Sequence, residues 1–132
     1  MNSKKGAILI IEDEIAIAEA IGEYLENYGY QVFFARSATE AIQKTQNQTF
    51  MCIITDINLE KGTGDTVILN IKNSFGGYNY STPIIVVSSA LNMKLMAKIK
   101  DVIDWAFVKP YSLEALIEKI DEVVSKPAKI HK

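Results

Sequence analysis

The sequence contains a single cysteine, Cys52, and a single histidine, His131. One cysteine cannot form an internal disulfide, and it cannot build a cysteine-rich zinc site. Because Cys52 lies within an apolar run, we interpret it as a small buried hydrophobic residue. His131 stands near the end of the chain with no second metal-ligating residue beside it. These absences exclude disulfide-stapled scaffolds and zinc modules.

The chain also lacks a long hydrophobic run and an excess of charge of one sign. Its apolar runs, such as 84–87, are far shorter than the roughly 20 residues that cross a bilayer. With 14 basic and 16 acidic residues and a formal charge of −2, it has no electrostatic footprint for nucleic acid. The first residues do not resemble a signal peptide. We therefore expect a cytoplasmic protein that contacts neither membrane nor nucleic acid directly.

The length of 132 residues, with 48% hydrophobic and 23% charged residues, is typical of one globular domain. No internal repeat or low-complexity segment is present. We expect a single domain over residues 5–126. Residues 127–132 are expected to form a flexible tail or the stub of a linker.

Five short apolar runs alternate with segments of helical periodicity. The first, third and fourth runs are almost continuously aliphatic, as in strands that are buried on both faces of a parallel sheet. Strict alternation of strands and helices predicts an α/β fold, with helices on both faces of the sheet. The predicted strands are Ala7–Ile11, 32–35, 51–55, 84–88 and Trp105–Val108.

Capping residues predict where several helices begin and end. Ser37, followed three residues later by Glu40, forms a capping box, and Ser112 is the predicted N-cap of the last helix. Asp65 is expected to open the third helix. Gly29, just beyond the first helix, is its expected C-terminal stop. The inward stripe of this helix is predicted to consist of Ile17, Ile21, Leu25 and Tyr28.

The segment 75–82 contains two glycines and no periodicity. We interpret it as a connector that is somewhat longer than the median loop. The alternative interpretation is a partner-binding loop, if the tyrosines at positions 78 and 80 are exposed.

Polar side chains follow four of the five predicted strands. Glu12 and Asp13 follow the first strand, Asp56 follows the third, Ser88 ends the fourth and Lys109 follows the fifth. The carboxyl ends of parallel strands meet at one edge of a sheet. Converging carboxylates repel each other unless a cation is present, and oxygen ligands suit Mg²⁺. A lysine and a hydroxyl can bind phosphoryl oxygens. The sequence therefore predicts a site for a metal ion and a phosphoryl group.

The loop after the first strand carries acids where a cofactor-binding fold would carry glycines. Glycines and backbone amides cradle cofactor phosphates at this position. The acids Glu12, Asp13 and Glu14 therefore argue against a bound nucleotide or flavin phosphate. We interpret Glu14 as a charge that favours the start of the following helix.

These motifs together resemble the receiver domain of bacterial two-component response regulators, over about residues 5–126. The resemblance implies a flavodoxin-like, doubly wound sheet of five parallel strands in the order 2-1-3-4-5, with five helices. It rests on Glu12-Asp13, the segment 56–59 (Asp-Ile-Asn-Leu), Gly64, the run 83–88 (Pro-Ile-Ile-Val-Val-Ser) and the segment 107–110 (Phe-Val-Lys-Pro).

The resemblance implies that Asp56 is the phosphoacceptor. The donor would be a phosphohistidine on a sensor histidine kinase or a histidine phosphotransfer protein. Ser88 and Lys109 would contact the phosphoryl oxygens. Such a domain is a switch that assists its own phosphorylation and dephosphorylation, rather than an enzyme with an external substrate. Its partner on the output side would be a downstream protein or an output domain.

The resemblance also implies a site for Mg²⁺. Asp13 and Asp56 would bind the ion directly, and Glu12 would bind it through water. Asn58 would supply its backbone carbonyl.

One position departs from the family pattern. Ala106 stands three residues before Lys109, where the family usually carries a tyrosine or phenylalanine that acts as a rotamer switch. The neighbouring Trp105 is a candidate substitute, although we favour a packed or half-exposed aromatic. The departure leaves open a receiver-like interaction domain that is insensitive to phosphorylation. A flavin-dependent or metal-dependent enzyme of the same fold is the remaining, weaker alternative.

Overall fold

The computed structural model describes residues 5–59, 62–89 and 93–126, so the expected tail at 127–132 lies outside the described residues. Strands and helices alternate strictly, as predicted. In chain order the elements are β1 (Ala7–Ile11), α1 (Ile15–Asn27), β2 (Gln31–Ala35), α2 (Ala38–Thr45), β3 (Cys52–Asp56), α3 (Gly64–Lys72), β4 (Ile84–Ser88), α4 (Met93–Ile99), β5 (Trp105–Val108) and α5 (Leu113–Val124). Within the described ranges, no helix combines the length and the apolar character needed to cross a membrane.

The five strands form one parallel sheet in the order β2-β1-β3-β4-β5. This arrangement confirms the predicted fold class and strand order. β3 lies in the centre, where Ile11 pairs with Thr55 and Asp56 pairs with Val87. The register therefore brings the residues that follow β1, β3 and β4 to the same edge of the sheet.

The sheet separates two hydrophobic clusters. Leu9 and Ile11 face one cluster, which α2, α3 and α4 cover, while Ile8 and Ile10 face the other, which α1 and α5 cover. This alternation follows from the two-residue period of a strand. Each fully buried aliphatic side chain contributes about 1.5–3 kcal/mol to the free energy of unfolding. The central strands are thus a rigid platform for the loops at the edge of the sheet.

Two of the predicted helix caps are confirmed. The Ser37 hydroxyl accepts a hydrogen bond from the Glu40 backbone N–H at 3.2 Å. The Ser112 hydroxyl accepts one from the Ala115 backbone N–H at 2.9 Å. The predicted start of the third helix was displaced, because α3 begins at Gly64 and Asp65 lies inside its first turn.

The predicted inward stripe of α1 was wrong at Tyr28. The helix ends at Asn27, and Tyr28 is its C-cap, with 43% of its surface exposed. Leu25 is the last buried residue of the stripe. The predicted stop at Gly29 is confirmed, since its φ of +96° is a left-handed conformation that favours glycine.

Candidate functional site

Lys109 binds two buried carboxylates at the carboxyl edge of the sheet. Its Nζ lies 2.9 Å from Oδ2 of Asp56 and 3.3 Å from Oε1 of Glu12. Glu12 follows β1, Asp56 ends β3 and Lys109 follows β5. The structure therefore brings three of the predicted site residues into direct contact, as the convergence of parallel strand ends requires.

Burial and neighbouring charges both shift the pKa values in this cluster. Burial raises the pKa of Glu12, and the charge of Asp56 and a hydrogen bond with Asp13 raise it further, against the opposing effect of Lys109. Burial alone would lower the pKa of Lys109, but Asp56 and Glu12 together raise it above its ordinary value. Lys109 therefore stays protonated, while the carboxylates beside it favour a further cation.

Both oxygens of the Asp56 carboxylate have defined partners. Oδ1 accepts a hydrogen bond from the Asn58 backbone N–H at 2.9 Å, while Oδ2 faces Lys109. The side-chain amide of Asn58 lies 3.5 Å from the hydroxyl of Ser88, which is fully buried at the end of β4. Asp56 is thus held in one orientation by partners at both of its carboxylate oxygens.

Gly64 packs directly behind the Asp56 loop. Its backbone N–H donates a hydrogen bond to the Ile57 carbonyl at 2.9 Å. A Cβ at this position would lie 2.5 Å from the Asp56 carbonyl oxygen and 2.9 Å from the Ile57 Cα. Because both neighbours are backbone atoms, only glycine lets α3 begin here without displacing Asp56.

The oxygen ligands at this edge fit Mg²⁺. Among residues 5–59, 62–89 and 93–126, no group of three or more histidine, cysteine or carboxylate side chains could hold a metal ion. Mg²⁺ does not need such a group, because it takes one or two carboxylates and keeps several waters. The resemblance implies three ligands that would each offer a hard oxygen atom, namely Asp13, Asp56 and the Asn58 carbonyl. This set suits Mg²⁺ better than a transition metal.

Ala106 and Trp105 face opposite sides of β5. Ala106 packs against the cluster beneath α4. The Trp105 ring is 46% exposed and lies under the Lys119 ammonium of α5, 3.6 Å from the ring centroid. Trp105 would have to cross the strand to occupy the side that Ala106 faces. Among the residues that the structure describes, we therefore find no contact through which Trp105 could replace the missing aromatic.

An apolar groove of about 380 Å³ adjoins Lys109, and the sequence did not predict it. Two features of the sequence could have indicated this groove. Ala16 and Ala20 are small residues one turn apart at the start of α1, and apolar residues follow Lys109. The Tyr111 ring stacks on Phe107 at 5.3 Å, and burial raises the pKa of its hydroxyl. The groove is lined by Ala16, Ile17, Ala20, Ile21, Lys109, Pro110, Tyr111 and Leu113.

Comparison with known proteins agrees with this geometry. The family model described as "Response regulator receiver domain" matches residues 8–121. A curated relative, the response regulator RR06 of Streptococcus pneumoniae, is 26% identical over 120 residues, which cover 90% of this chain and 53% of that protein. The chain thus spans about half the length of that relative.

Two solved structures share the fold. A response regulator receiver domain protein (CheY-like) from Methanospirillum hungatei is 27% identical, with a TM-score of 0.81 over 93% of this chain and 94% of that one. The receiver domain of the sensor histidine kinase PA1611 from Pseudomonas aeruginosa has a TM-score of 0.81 at 18% identity, over 92% of this chain and 98% of that one. It was solved with a magnesium ion in its active-site cleft. At this low identity the second likeness shows the fold alone.

Proposed function

This chain belongs to the response regulator receiver domain family, the phosphoacceptor signalling domain of two-component systems, and we propose that Asp56 is its phosphoacceptor. The observation that carries this proposal is the position of Asp56 between Lys109 and the Asn58 backbone N–H. A carboxylate held at both oxygens is oriented for attack before the donor arrives, which lowers the entropic cost of the reaction.

The proposed reaction is phosphoryl transfer from a phosphohistidine. An oxygen of the Asp56 carboxylate forms a bond to phosphorus as the P–N bond of the donor breaks. The imidazole leaves with the electron pair and takes up a proton. Lys109 neutralises charge on the phosphoryl oxygens, and the Ser88 hydroxyl donates a hydrogen bond to one of them. Phosphoryl transfer depends mostly on positioning and electrostatic stabilisation, which these side chains supply.

We propose Mg²⁺ as the resident ion of this site. Asp13, Asp56 and the Asn58 backbone carbonyl would hold it directly, and Glu12 would hold it through water. When bound, Mg²⁺ neutralises phosphoryl oxygens. The contacts of Lys109 support the proposal, because two buried carboxylates, Glu12 and Asp56, share its ammonium group and a further cation would balance their charge. The magnesium ion in the Pseudomonas aeruginosa receiver domain is consistent with it.

The surroundings of the site favour a protein as the phosphoryl donor. The apolar groove is lined in part by Lys109, the residue whose ammonium contacts Asp56. We propose that a sensor histidine kinase or a histidine phosphotransfer protein docks there and presents its phosphohistidine to Asp56. An apolar docking surface of this kind excludes water around the reacting groups. We place this exchange in the cytoplasm.

Phosphorylation of Asp56 would change the partners of Lys109. A phosphoryl group adds negative charge and strong acceptor oxygens, so the Lys109 ammonium would contact the phosphoryl group in place of Glu12. Ala106 has no aromatic side chain that could change rotamer. We therefore propose that phosphorylation alters the contacts of Ser88 and Lys109, and through them the positions of neighbouring residues. The output would be altered binding of a downstream protein or output domain by residues 5–126.

The test is phosphorylation by acetyl phosphate, followed by intact-mass spectrometry. We expect a mass gain of one phosphoryl group that requires Mg²⁺ and is absent from Asp56→Asn. Asp101→Asn is the matched control, because Asp101 is an exposed carboxylate that has no part in the site. Equal phosphorylation of Asp56→Asn, or equal phosphorylation of the wild type in excess chelator, would overturn the proposal.

A further inference from the structure

The loop between α3 and β4 is rigid although it has no regular structure. The buried Asn79 accepts a hydrogen bond from the Phe50 N–H at 2.8 Å. It also donates to the carbonyls of Thr45 and Gln48, at 2.7 and 2.8 Å. The Lys72 ammonium donates to the carbonyls at positions 80 and 82, both at 2.8 Å. These contacts fix the loop before any partner binds, which lowers the entropic cost of association.

This loop presents two exposed aromatic side chains. Phe75 is 87% exposed and Tyr78 is 62% exposed. At about 200 Å² for a whole aromatic side chain, the two leave about 300 Å² of ring surface in water. That is about half of what each partner contributes to a small protein interface, roughly 600 Å². Two exposed aromatic side chains on one ordered loop are suited to an interaction surface, because aromatic residues are enriched at protein interfaces.

Two segments at this end of the sheet, one of which carries these aromatics, contain no charged residue. We call the segments 45–49 (Thr-Gln-Asn-Gln-Thr) and 73–82 (Asn-Ser-Phe-Gly-Gly-Tyr-Asn-Tyr-Ser-Thr) the uncharged face. In the whole sequence, 23% of the residues are charged, so this face differs from the rest of the surface. Its amides and hydroxyls can both donate and accept hydrogen bonds. Such a face can pair with a copy of itself without opposing like charges.

The uncharged face also contains both a protruding ring and a cleft. Phe75 projects from the loop, and beside it lies a cleft of about 280 Å³, roomy enough for an aromatic ring. The cleft is lined by Thr45, Gln46, Asn70, Ile71, Ser74, Gly76, Gly77, Tyr78 and Asn79. In a two-fold dimer each copy contributes the same patch, so a projection on one copy meets a recess on the other.

We propose that two copies of this chain associate through the uncharged face as a two-fold dimer, with Phe75 of each copy seated in the cleft of the other. The face precedes β3 and β4 and therefore lies at the amino-terminal edge of the sheet, away from Asp56. Association at this edge leaves the phosphoryl site open. The dimer therefore forms equally with and without phosphorylation, and it does not depend on the proposed role of Asp56.

The test is sedimentation velocity from about 10 µM to about 1 mM, the range in which weak complexes dissociate. We expect a reversible dimer for the wild type. Phe75→Ser, which removes the projecting ring, and Ser74→Tyr, which fills the cleft, are each expected to raise the dissociation constant about tenfold or more. Trp105→Ser, which removes an exposed aromatic elsewhere, serves as the matched control and is expected to change nothing. Circular dichroism verifies that each variant is folded.

Three results would overturn the proposal. They are a wild type that stays monomeric across the range, a Phe75→Ser variant that dimerises like the wild type, and a dimer that forms only with acetyl phosphate. Asp56→Asn is measured in parallel. It is expected to dimerise like the wild type, which separates this test from the test of phosphorylation.

Discussion

The ammonium group of Lys109 reaches across β4 to lie 2.9 Å from the carboxylate of Asp56. The two residues are 53 positions apart in the chain. Their ion pair couples the end of β3 to the end of β5, and Glu12 on the far side of β3 shares the same ammonium. A movement of the Lys109 ammonium therefore changes contacts at the ends of β1, β3 and β5.

Replacing Lys109 by methionine leaves Glu12 and Asp56 buried without their shared cation. We expect a loss of about 1–3 kcal/mol in the free energy of unfolding, because an uncompensated buried charge is costly. Urea denaturation at pH 7 measures the loss. Lys44→Met is the control, since Lys44 lies 3.9 Å from Glu40 in a partly exposed pair, and we expect a change within about 0.5 kcal/mol. Equal stability of both variants would contradict the account of the site.

Adding a methyl group at Gly64 is expected to displace the Asp56 loop. The new Cβ would meet the backbone of Asp56 and Ile57, and backbone atoms cannot rotate away. We expect Gly64→Ala to lose about 1–3 kcal/mol of stability and to slow phosphorylation. Thr66→Ala, at an exposed position of the same helix, is expected to do neither. A Gly64→Ala variant phosphorylated at the wild-type rate would contradict this role of Gly64.

The contact between Tyr30 and Asp121 links the start of β2 to α5. The buried Tyr30 hydroxyl donates a hydrogen bond to Oδ1 of Asp121 at 2.6 Å. Tyr30→Phe is therefore expected to lose about 1–2 kcal/mol of stability at pH 7. Tyr78→Phe is the control, since its ring is exposed, and we expect a change within about 0.5 kcal/mol.

The same pair predicts a dependence on pH. Burial, together with Asp121, raises the pKa of Tyr30 above its ordinary value, so the folded state favours the neutral phenol. In the unfolded chain the phenol ionises near pH 10, at about its ordinary pKa. The stabilising effect of Tyr30 is thus complete below pH 10 and declines above it. Urea denaturation should show that the advantage of the wild type over Tyr30→Phe shrinks above about pH 10, and a constant difference would contradict this.

Cys52 is expected to be chemically inert in the folded protein. Its side chain is fully buried in β3, and burial raises the pKa of the thiol, so the reactive thiolate does not form. A chromogenic disulfide reagent should react with no thiol under native conditions and with one after denaturation. Rapid reaction of the native protein would show that β3 is more accessible than the structure indicates.

The sequence predicted those site residues whose positions depend only on the order of strands and helices in a parallel sheet. Glu12, Asp56 and Lys109 follow apolar runs, and parallel strands bring such residues to one edge whatever their side chains are. The caps at Ser37 and Ser112 follow from equally local rules. The strand order was implied by the resemblance to receiver domains, and the structure matches it.

The parts that the sequence did not predict depend on contacts between distant segments. The groove beside Lys109 forms between α1 and the start of α5. The rigid loop before β4 depends on Asn79, whose partners lie about 30 residues away in the chain. Tyr28 fits the helical period, yet the helix ends before it. Periodicity describes a local pattern and contains no information about such tertiary contacts.

In the proposed reaction the phosphoryl group is attached to the carboxylate of Asp56. Borohydride reduces an acyl phosphate of aspartate to homoserine, so it marks the modified residue permanently. The protein is treated with acetyl phosphate and Mg²⁺, reduced and digested, and its peptides are sequenced by mass spectrometry. We expect homoserine at position 56 alone, with none formed when Mg²⁺ is chelated. Homoserine at position 13, or a phosphorylated protein without homoserine at position 56, would contradict this expectation.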